Sequence, residues 1–247
     1  MKFSVITVNW NNANGLEKTI CSVEKQNNKL YEFIIIDGGS TDESLDIIRM
    51  HKINIHFYLS EKDNGIYDAM NKGVNVASGE YLIFMNSGDY FYSSSVLENI
   101  SNKNFKNDFI FGGICYRNKH FRYEMTLPKK LCLYDFIEGL CHQGTFIKRT
   151  SFLELGGYDI SLKIVADWSM LMNAIWRKHY SFVTCKDVIA YYDITGVSGQ
   201  EKSKKVIAEE KEKILEAFDI KFNYFKYKLH RYCVRILRIR LFYKFSR

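Results

Sequence analysis

Phe33-Ile34-Ile35-Ile36-Asp37-Gly38-Gly39-Ser40-Thr41-Asp42 is the stretch on which the fold of this 247-residue chain turns. Four apolar residues without a polar interruption fit a strand covered on both faces, as in a parallel sheet between helix layers. The run stops on a carboxylate and two glycines, which permit a tight turn. Ser40 or Thr41 can then cap a helix running to Met50. Strand, acidic turn and helix in ten residues mark one βα unit of an open α/β sheet, whose ligands gather at the carboxyl ends of the strands.

The same cadence recurs on either side. Phe3 to Val8 is β-branched and apolar, Asn9 to Gly15 is an asparagine-rich loop, and Leu16 to Gln26 has a helical spacing of Leu16, Ile20 and Val23. Ile55 to Leu59 predicts a third strand, Gly65 to Ala77 a helix, and Tyr81 to Met85 a fourth strand. That strand ends on Asn86-Ser87-Gly88-Asp89, a small-residue turn with one acid. The expected rim therefore carries Asn9, Asp37, Asn64 and Asp89 together. No GxGxxG and no GxxxxGK[ST] occurs, so neither a dinucleotide fingerprint nor a Walker loop supports the site.

Beyond Asp89 the pattern loosens. Val96 to Ile100 predicts a short helix, Phe109 to Cys115 and Phe121 to Met125 strands, and Lys163 to Trp176 a helix containing Asp167. Tyr180 to Thr184 and Val188 to Tyr192 predict two more strands, and Ser203 to Phe218 a charged helix. The expected organisation is one catalytic domain over 1–220, with a nucleotide-binding half (1–90) and an acceptor-side half (91–220) sharing one core. A basic amphipathic helix over 221–247 follows.

Composition narrows the classes. The six cysteines are scattered, with no CxxC pair or zinc spacing, and are read as buried side chains in a reducing compartment. No cleavable leader and no membrane-spanning stretch is expected. The net charge of +7 lies in the tail: residues 221–247 hold nine Lys and Arg and no acid. Aromatic and aliphatic residues recur among those cations at three- and four-residue steps. That pattern reads as a membrane-surface helix attracted to anionic lipid, against a helix packed on the body or on a second copy. No motif supports nucleic-acid binding.

Taken as a set, Ser4 to Asn9, Ile35 to Asp42, Asp63 to Gly73, Gly79 to Leu82 and Asn86 to Asp89 resemble the family 2 glycosyltransferases. Those are inverting enzymes of the GT-A fold that use nucleotide-activated sugars. The resemblance covers roughly residues 1–195, and His142-Gln143-Gly144 resembles the branch found in bacterial capsule, exopolysaccharide and O-antigen synthesis. It implies a GT-A-type nucleotide-diphospho-sugar transferase fold, a mostly parallel central sheet flanked by helices. It implies transfer of a sugar, from a UDP-linked donor, to a glycan or lipid-linked saccharide at the inner leaflet of the cell membrane.

Carried over by motif, Asp37 holds the nucleotide base or ribose, with Thr7, Val8 and Asn9 lining the same pocket. Asp89 matches the metal-binding acid of the family's Asp-x-Asp element, for Mn²⁺ or Mg²⁺. Asp167 stands where the family carries its catalytic base, here after Ala166 and not after Glu. Asn86, Ser87 and Gly88 are expected at the nucleotide sugar, with Asn86 and Gly88 standing where many relatives have acids. Where many relatives carry Ala-Arg-Asn the run here is Asp68-Ala69-Met70-Asn71, without the arginine; Asp68 and Asn71 are expected at the nucleotide sugar, Asp68 on the base or a sugar hydroxyl. His142 and Gln143 are expected on diphosphate or acceptor, and Trp168 as a dry wall or a sugar-stacking face. With one acid at the turn, metal affinity without nucleotide should be poor. The alternatives are a sugar-1-phosphate nucleotidyltransferase, which would need a basic glycine-rich loop after the first strand, and a non-catalytic transferase-like domain that docks at a membrane or partner.

Overall fold

The computed structural model describes residues 2–27, 30–117, 122–193, 201, 203–220, 226–229 and 232. Its first half alternates as the pattern requires: β1 (Phe3–Asn9), α1 (Ala13–Glu24), β2 (Tyr31–Asp37), α2 (Ser44–Met50), β3 (Phe57–Ser60), α3 (Ile66–Val76) and β4 (Tyr81–Phe84). The second half holds β5 (Tyr90–Phe91), α4 (Val96–Asn102), β6 (Phe109–Arg117), β7 (Arg122–Met125), α5 (Leu133–Glu138), β8 (Thr145–Lys148), α6 (Arg149–Glu154), α7 (Ala166–Met172), β9 (Phe182–Asp193) and α8 (Ser203–Ala217).

The strands form one sheet in the order β3-β2-β1-β4-β8-β6-β9-β5, with β7 paired to β6. β3, β2, β1 and β4 run parallel. β8 then enters antiparallel between β4 and β6, and β9 runs parallel to β6. Alternation along each central strand sends successive side chains to opposite layers. Val5, Phe33, Ile35 and Ile83 meet Leu16 and Ile20 of α1 and Ile47 of α2. Ile6, Ile34, Ile36 and Phe84 meet Met70 and Val74 of α3, together with Trp168 of α7 and Ile214 of α8. The two halves of the chain therefore share both core layers.

Several elements differ from the sequence expectation. The two strands expected over 180–192 are one, β9, with a register shift opposite Gly113, because both parts pair with β6. Helix α7 starts at Ala166, three residues later than the pattern suggests, and passes into a wide turn over Asn173–Arg177. Ser40 and Thr41 do not cap α2; the Ser44 N–H bonds Asp42 Oδ1 instead. Of the expected tail helix, only 226–229 and 232 are described. These residues are helical, and the Tyr227 ring packs on Tyr134 of α5 at 6.3 Å between centroids. Among the described residues no helix is long and apolar enough to cross a membrane.

Glu32 ties β2 to its neighbours. Its carboxylate accepts from Ser4 Oγ in β1 at 2.5 Å, from Ser78 Oγ at 2.8 Å and from the Gly79 N–H at 2.8 Å. A Cβ on Gly79 would come within 2.7 Å of the Ser4 backbone nitrogen, so only glycine fits this approach. Burial pushes the Glu32 carboxyl up, but the Ser4, Ser78 and Gly79 donors outweigh it and hold the group below its ordinary range. A carboxyl lowered on folding contributes stability above its unfolded pKa and loses it as pH falls through the folded value. Glu32→Ala, which leaves these donors unsatisfied, should cost about 3 kcal/mol in denaturant melts at pH 7. The deficit against wild type should shrink below about pH 4, the ordinary carboxylate range.

Candidate active site

The carboxyl ends of β1, β2 and β3 meet in register, with Asn9 opposite Asp37 and Asp37 opposite Ser60. Asp37 is fully buried. Its Oδ1 accepts from Asn9 Nδ2 at 2.8 Å and Ser40 Oγ at 2.6 Å. Its Oδ2 accepts from the Ser40 N–H at 2.9 Å and Ser60 Oγ at 2.7 Å. Burial raises this carboxyl, while the Ser40, Ser60 and Asn9 donors pull it below its usual value. Asp37 thus locks the turn after β2.

The surface above that turn belongs to residues the sequence reading passed over. The Trp10 side chain, just past β1, is 70% exposed. A Cβ on Gly38 would meet Asp63 Oδ2 at 2.6 Å and Trp10 Cδ1 at 3.5 Å, so indole and carboxylate border the space over this glycine. An aromatic residue in the loop directly after the first strand was the available signal.

Thr7 and Val8, expected to line the nucleotide pocket, are buried instead. The Thr7 hydroxyl donates to the Met85 carbonyl at 2.7 Å and Val8 joins the core. Asn71 is likewise structural: its side-chain amide donates to Tyr158 O at 2.8 Å and accepts from Tyr158 N at 2.9 Å, clamping α3 to the 156–158 turn. Asp68 accepts the Asn64 N–H and pairs with Lys72 at 3.5 Å on the first turn of α3.

After β4 the chain makes the Asn86–Asp89 turn, with Gly88 at φ +105°. Thr19 of α1 shapes it, accepting the Gly88 N–H at 3.1 Å with its hydroxyl 2.6 Å from the Asp89 carbonyl. Asp89 is nearly buried, and its Oδ2 accepts from Gln143 Nε2 at 2.9 Å. On the residue before, His142 Nε2 lies 3.1 Å from Asn86 Nδ2 and His142 Nδ1 lies 2.8 Å from Asp167 Oδ2. With Asp167 ionised, the Nδ1–H tautomer satisfies both contacts, donating to the carboxylate and accepting from the amide. One short helical turn, His142–Gly144, therefore ties down both acids. It sits close against β6: a Cβ on Gly144 would lie 3.0 Å from Gly112 O.

Asp167 occupies the first turn of α7, where its Oδ1 accepts from the Trp168 N–H at 2.8 Å and from Tyr67 OH at 3.1 Å. Burial raises its carboxyl, but the His142, Trp168 and Tyr67 donors outweigh that and hold it below the usual Asp value. It is therefore ionised at neutral pH. Trp168 is 4% exposed and its Nε1 donates to Phe136 O at 2.6 Å, so it serves as a dry wall and offers no stacking face to a sugar. Asp159, the other acid of the region, is exposed and accepts from Ser161 in a local turn.

The Asn86–Asp89 turn suits a hard divalent cation. Asn86 Oδ1 and Ser87 Oγ, in the same turn as Asp89, are buried without a hydrogen-bond partner, and oxygen atoms of these kinds are the ligands Mg²⁺ and Mn²⁺ accept. Among the described residues no group of three or more His, Cys, Asp or Glu could hold a metal. The protein thus brings one negative charge to this turn.

A sheet of this order with its acids at the strand ends defines a GT-A type transferase fold, and comparison with known proteins carries this to a family. Residues 4–159 match the model of glycosyl transferase family 2, and the chain belongs to that family. It is 32% identical over 172 residues to a PGL/p-HBAD biosynthesis glycosyltransferase of Mycobacterium bovis, a match covering 67% of this chain and 66% of that protein. It is 30% identical over 214 residues to a glycosyltransferase of Mycobacterium tuberculosis, covering 83% of this chain and 80% of that one. Among solved structures, residues 1–349 of TarS from S. aureus in complex with UDP-GlcNAc superpose with a TM-score of 0.69 at 18% identity, covering 88% of this chain and 71% of that one. The mannosyltransferase PcManGT of Pyrobaculum calidifontis, in complex with GDP-Man and Mn²⁺, gives 0.66 at 15% identity, covering 90% and 65%.

Asp37→Ala should strip the partner from four donors and lower stability by several kcal/mol, about 1–3 for each donor left unsatisfied. Trp10→Ala, at an exposed side chain, should melt within about 0.5 kcal/mol of wild type. Thermal melts of the two variants side by side check both outcomes.

Proposed function

We propose that this chain is an inverting glycosyltransferase that moves a sugar from a nucleotide-diphosphate donor, UDP-linked, to a glycan or lipid-linked saccharide in surface-polysaccharide synthesis. The observation that carries the reading is the His142–Gln143 pair, whose adjacent side chains bond Asp167 and Asp89. Membership of glycosyl transferase family 2 supplies the reaction class. The UDP-GlcNAc complex of a protein with the same fold supports the donor type.

In this reading the base stacks at Trp10 beside Asp63, above the turn that Asp37 locks. Asp37 and Asn9 act on the nucleotide by fixing that turn. Asn86, Ser87 and Gly88 face the diphosphate, with Asp89, Asn86 Oδ1 and Ser87 Oγ as the residues that would hold a divalent cation. Such a cation acts as a Lewis acid, offsetting the charge that grows on the leaving diphosphate. Asp167 is the general base: an acceptor hydroxyl placed at its carboxylate loses its proton there while the oxygen attacks the anomeric carbon opposite the diphosphate. His142 donates to Asp167 and orients it, and Trp168 keeps water from its buried side. The low carboxyl value keeps the base ionised at the cost of basicity, so close placement of the hydroxyl must supply much of the rate.

The nucleotidyltransferase reading lacks its basic glycine-rich loop after β1. The non-catalytic reading is decided by turnover. Hydrolysis of, or transfer from, a panel of UDP-, GDP- and dTDP-sugars with Mn²⁺ should be detectable. Asp167→Asn should slow it about 10²- to 10⁴-fold. Because the Asp167 carboxyl is held low, the acid limb of kcat should lie below about pH 4. His142→Ala removes the leading donor and leaves burial in place, so the limb should move up. Absence of turnover with every donor, together with no nucleotide-induced thermal shift, would remove the enzyme reading. An acid limb unmoved in His142→Ala would remove His142 from the base.

The basic residues of 221–247 fit a peripheral attachment at the anionic inner leaflet, where a lipid-linked acceptor would lie. Deletion of 221–247 should abolish flotation with phosphatidylglycerol vesicles at low salt. A truncated protein that still floats would refute the attachment.

A further inference from the structure

Helix α8 lies outside the stretch matched by the family model, yet two of its neighbouring side chains reach the segment that carries Asp167. Glu210 accepts three consecutive backbone N–H groups, Lys163 at 2.7 Å, Ile164 at 3.1 Å and Val165 at 3.3 Å. These are the residues immediately before α7, and α7 has no side-chain cap from its own N-cap residue, Val165. The carbonyl of Ile164 in turn accepts from Tyr67 OH, which also bonds Asp167 Oδ1. Ile164 is thus held by its N–H from α8 and by its carbonyl from α3, with Asp167 three residues on.

The next residue of α8 closes the other side. Lys211 Nζ donates to Ile137 O at 2.9 Å and lies 3.4 Å from Glu138 O, at the carboxyl end of α5 where a cation complements the helix dipole. The same ammonium sits 4.7 Å above the Trp168 ring, whose Nε1 donates to the neighbouring Phe136 carbonyl. α5, α7 and α8 are thereby joined around the residue next to Asp167. Burial draws the Lys211 ammonium down to about 8, against the opposing pull of Asp167 and Glu138. The half-buried amine is packed on the Trp168 ring and the end of α5.

We infer that Glu210 is a positioning residue for the transfer reaction: by gathering the N–H groups of 163–165 it fixes the start of α7, and with Tyr67 it sets where the Asp167 carboxylate points. The inference rests on Asp167 being the general base. A carboxylate is required because one acceptor group must serve three donors, two on one oxygen and one on the other. Gln offers a single acceptor oxygen, and its NH₂ would face a backbone N–H.

The test combines a structural and a kinetic readout on the full chain. In hydrogen exchange followed by mass spectrometry, Glu210→Gln should speed exchange in peptides covering 163–168 and leave those of β1 and β2 unchanged. With the UDP-, GDP- or dTDP-sugar that turns over, Glu210→Gln should lower kcat about 10- to 100-fold, the scale of a small misplacement, with donor KM within about twofold. In an Asp167→Asn background the same change should cost nothing further, because the effect passes through Asp167. Glu209→Gln, at an exposed neighbour on α8, is the control and should leave rate and exchange at wild-type levels. Unchanged exchange at 163–168 overturns the inference without any donor in hand. A loss that adds in full to that of Asp167→Asn also overturns it. Wild-type turnover in Asp167→Asn alone would overturn the base assignment instead, leaving the exchange result to judge the clamp.

Discussion

The hydrogen bonds from His142 and Gln143 are the constraint around which Asp167 and Asp89 are arranged. Asp89 closes the turn after β4, and Asp167 opens α7 nearly eighty residues later. Two carboxylates in poorly solvated surroundings repel, and each loses hydration. Placing a donor from one rigid turn on each relieves both costs and fixes the gap between them. The turn is itself held against β6, where Gly144 leaves room for nothing larger. Core packing of β6 and β8 thus reaches both carboxylates through two adjacent side chains.

Three of the acids, two buried and one part-buried, are satisfied in the same way. Glu32, Asp37 and Asp108 are each surrounded by hydroxyl and backbone N–H donors, drawn chiefly from serine. Such donors are short, lose little side-chain entropy and stay neutral, so the carboxylate remains charged chiefly through hydrogen bonds. At Asp37 this makes a strong brace. At Asp167 the donors are His142, the Trp168 N–H and Tyr67, and they keep that carboxylate ionised while contacts of α3 and α8 hold the segment before it.

The parallel half of the sheet was legible because burial on both faces writes itself as continuous apolar runs, and β1, β2 and β4 are read from them. The second half was harder. β8 follows a turn of polar residues and is only four residues long, and α5 and α6 have six residues each, too few for a period to show. The 180–192 stretch reads as two strands because its middle is polar, yet pairing with β6 keeps it continuous. Motif position singled out Asp89, Asp167, His142 and Gln143, which hydrogen bonds join in two pairs. It misplaced Thr7, Val8 and Asn71, whose neighbours turn them inward, and it passed over Trp10, Thr19, Tyr67 and Glu210.

By itself the sequence determined the α/β class, the strand ends that carry acids and the likeness to family 2 transferases, since each depends on local pattern and spacing. Which acids are joined was decided only by the tertiary structure. The contacts of His142 with Asp167, of Tyr67 with Ile164 and of Glu210 with the start of α7 span 25, 97 and about 46 residues. Contacts at such separations leave no periodicity in the chain. They exist because the sheet order brings β4, β8 and β6 side by side and lets helices from both halves close over one edge.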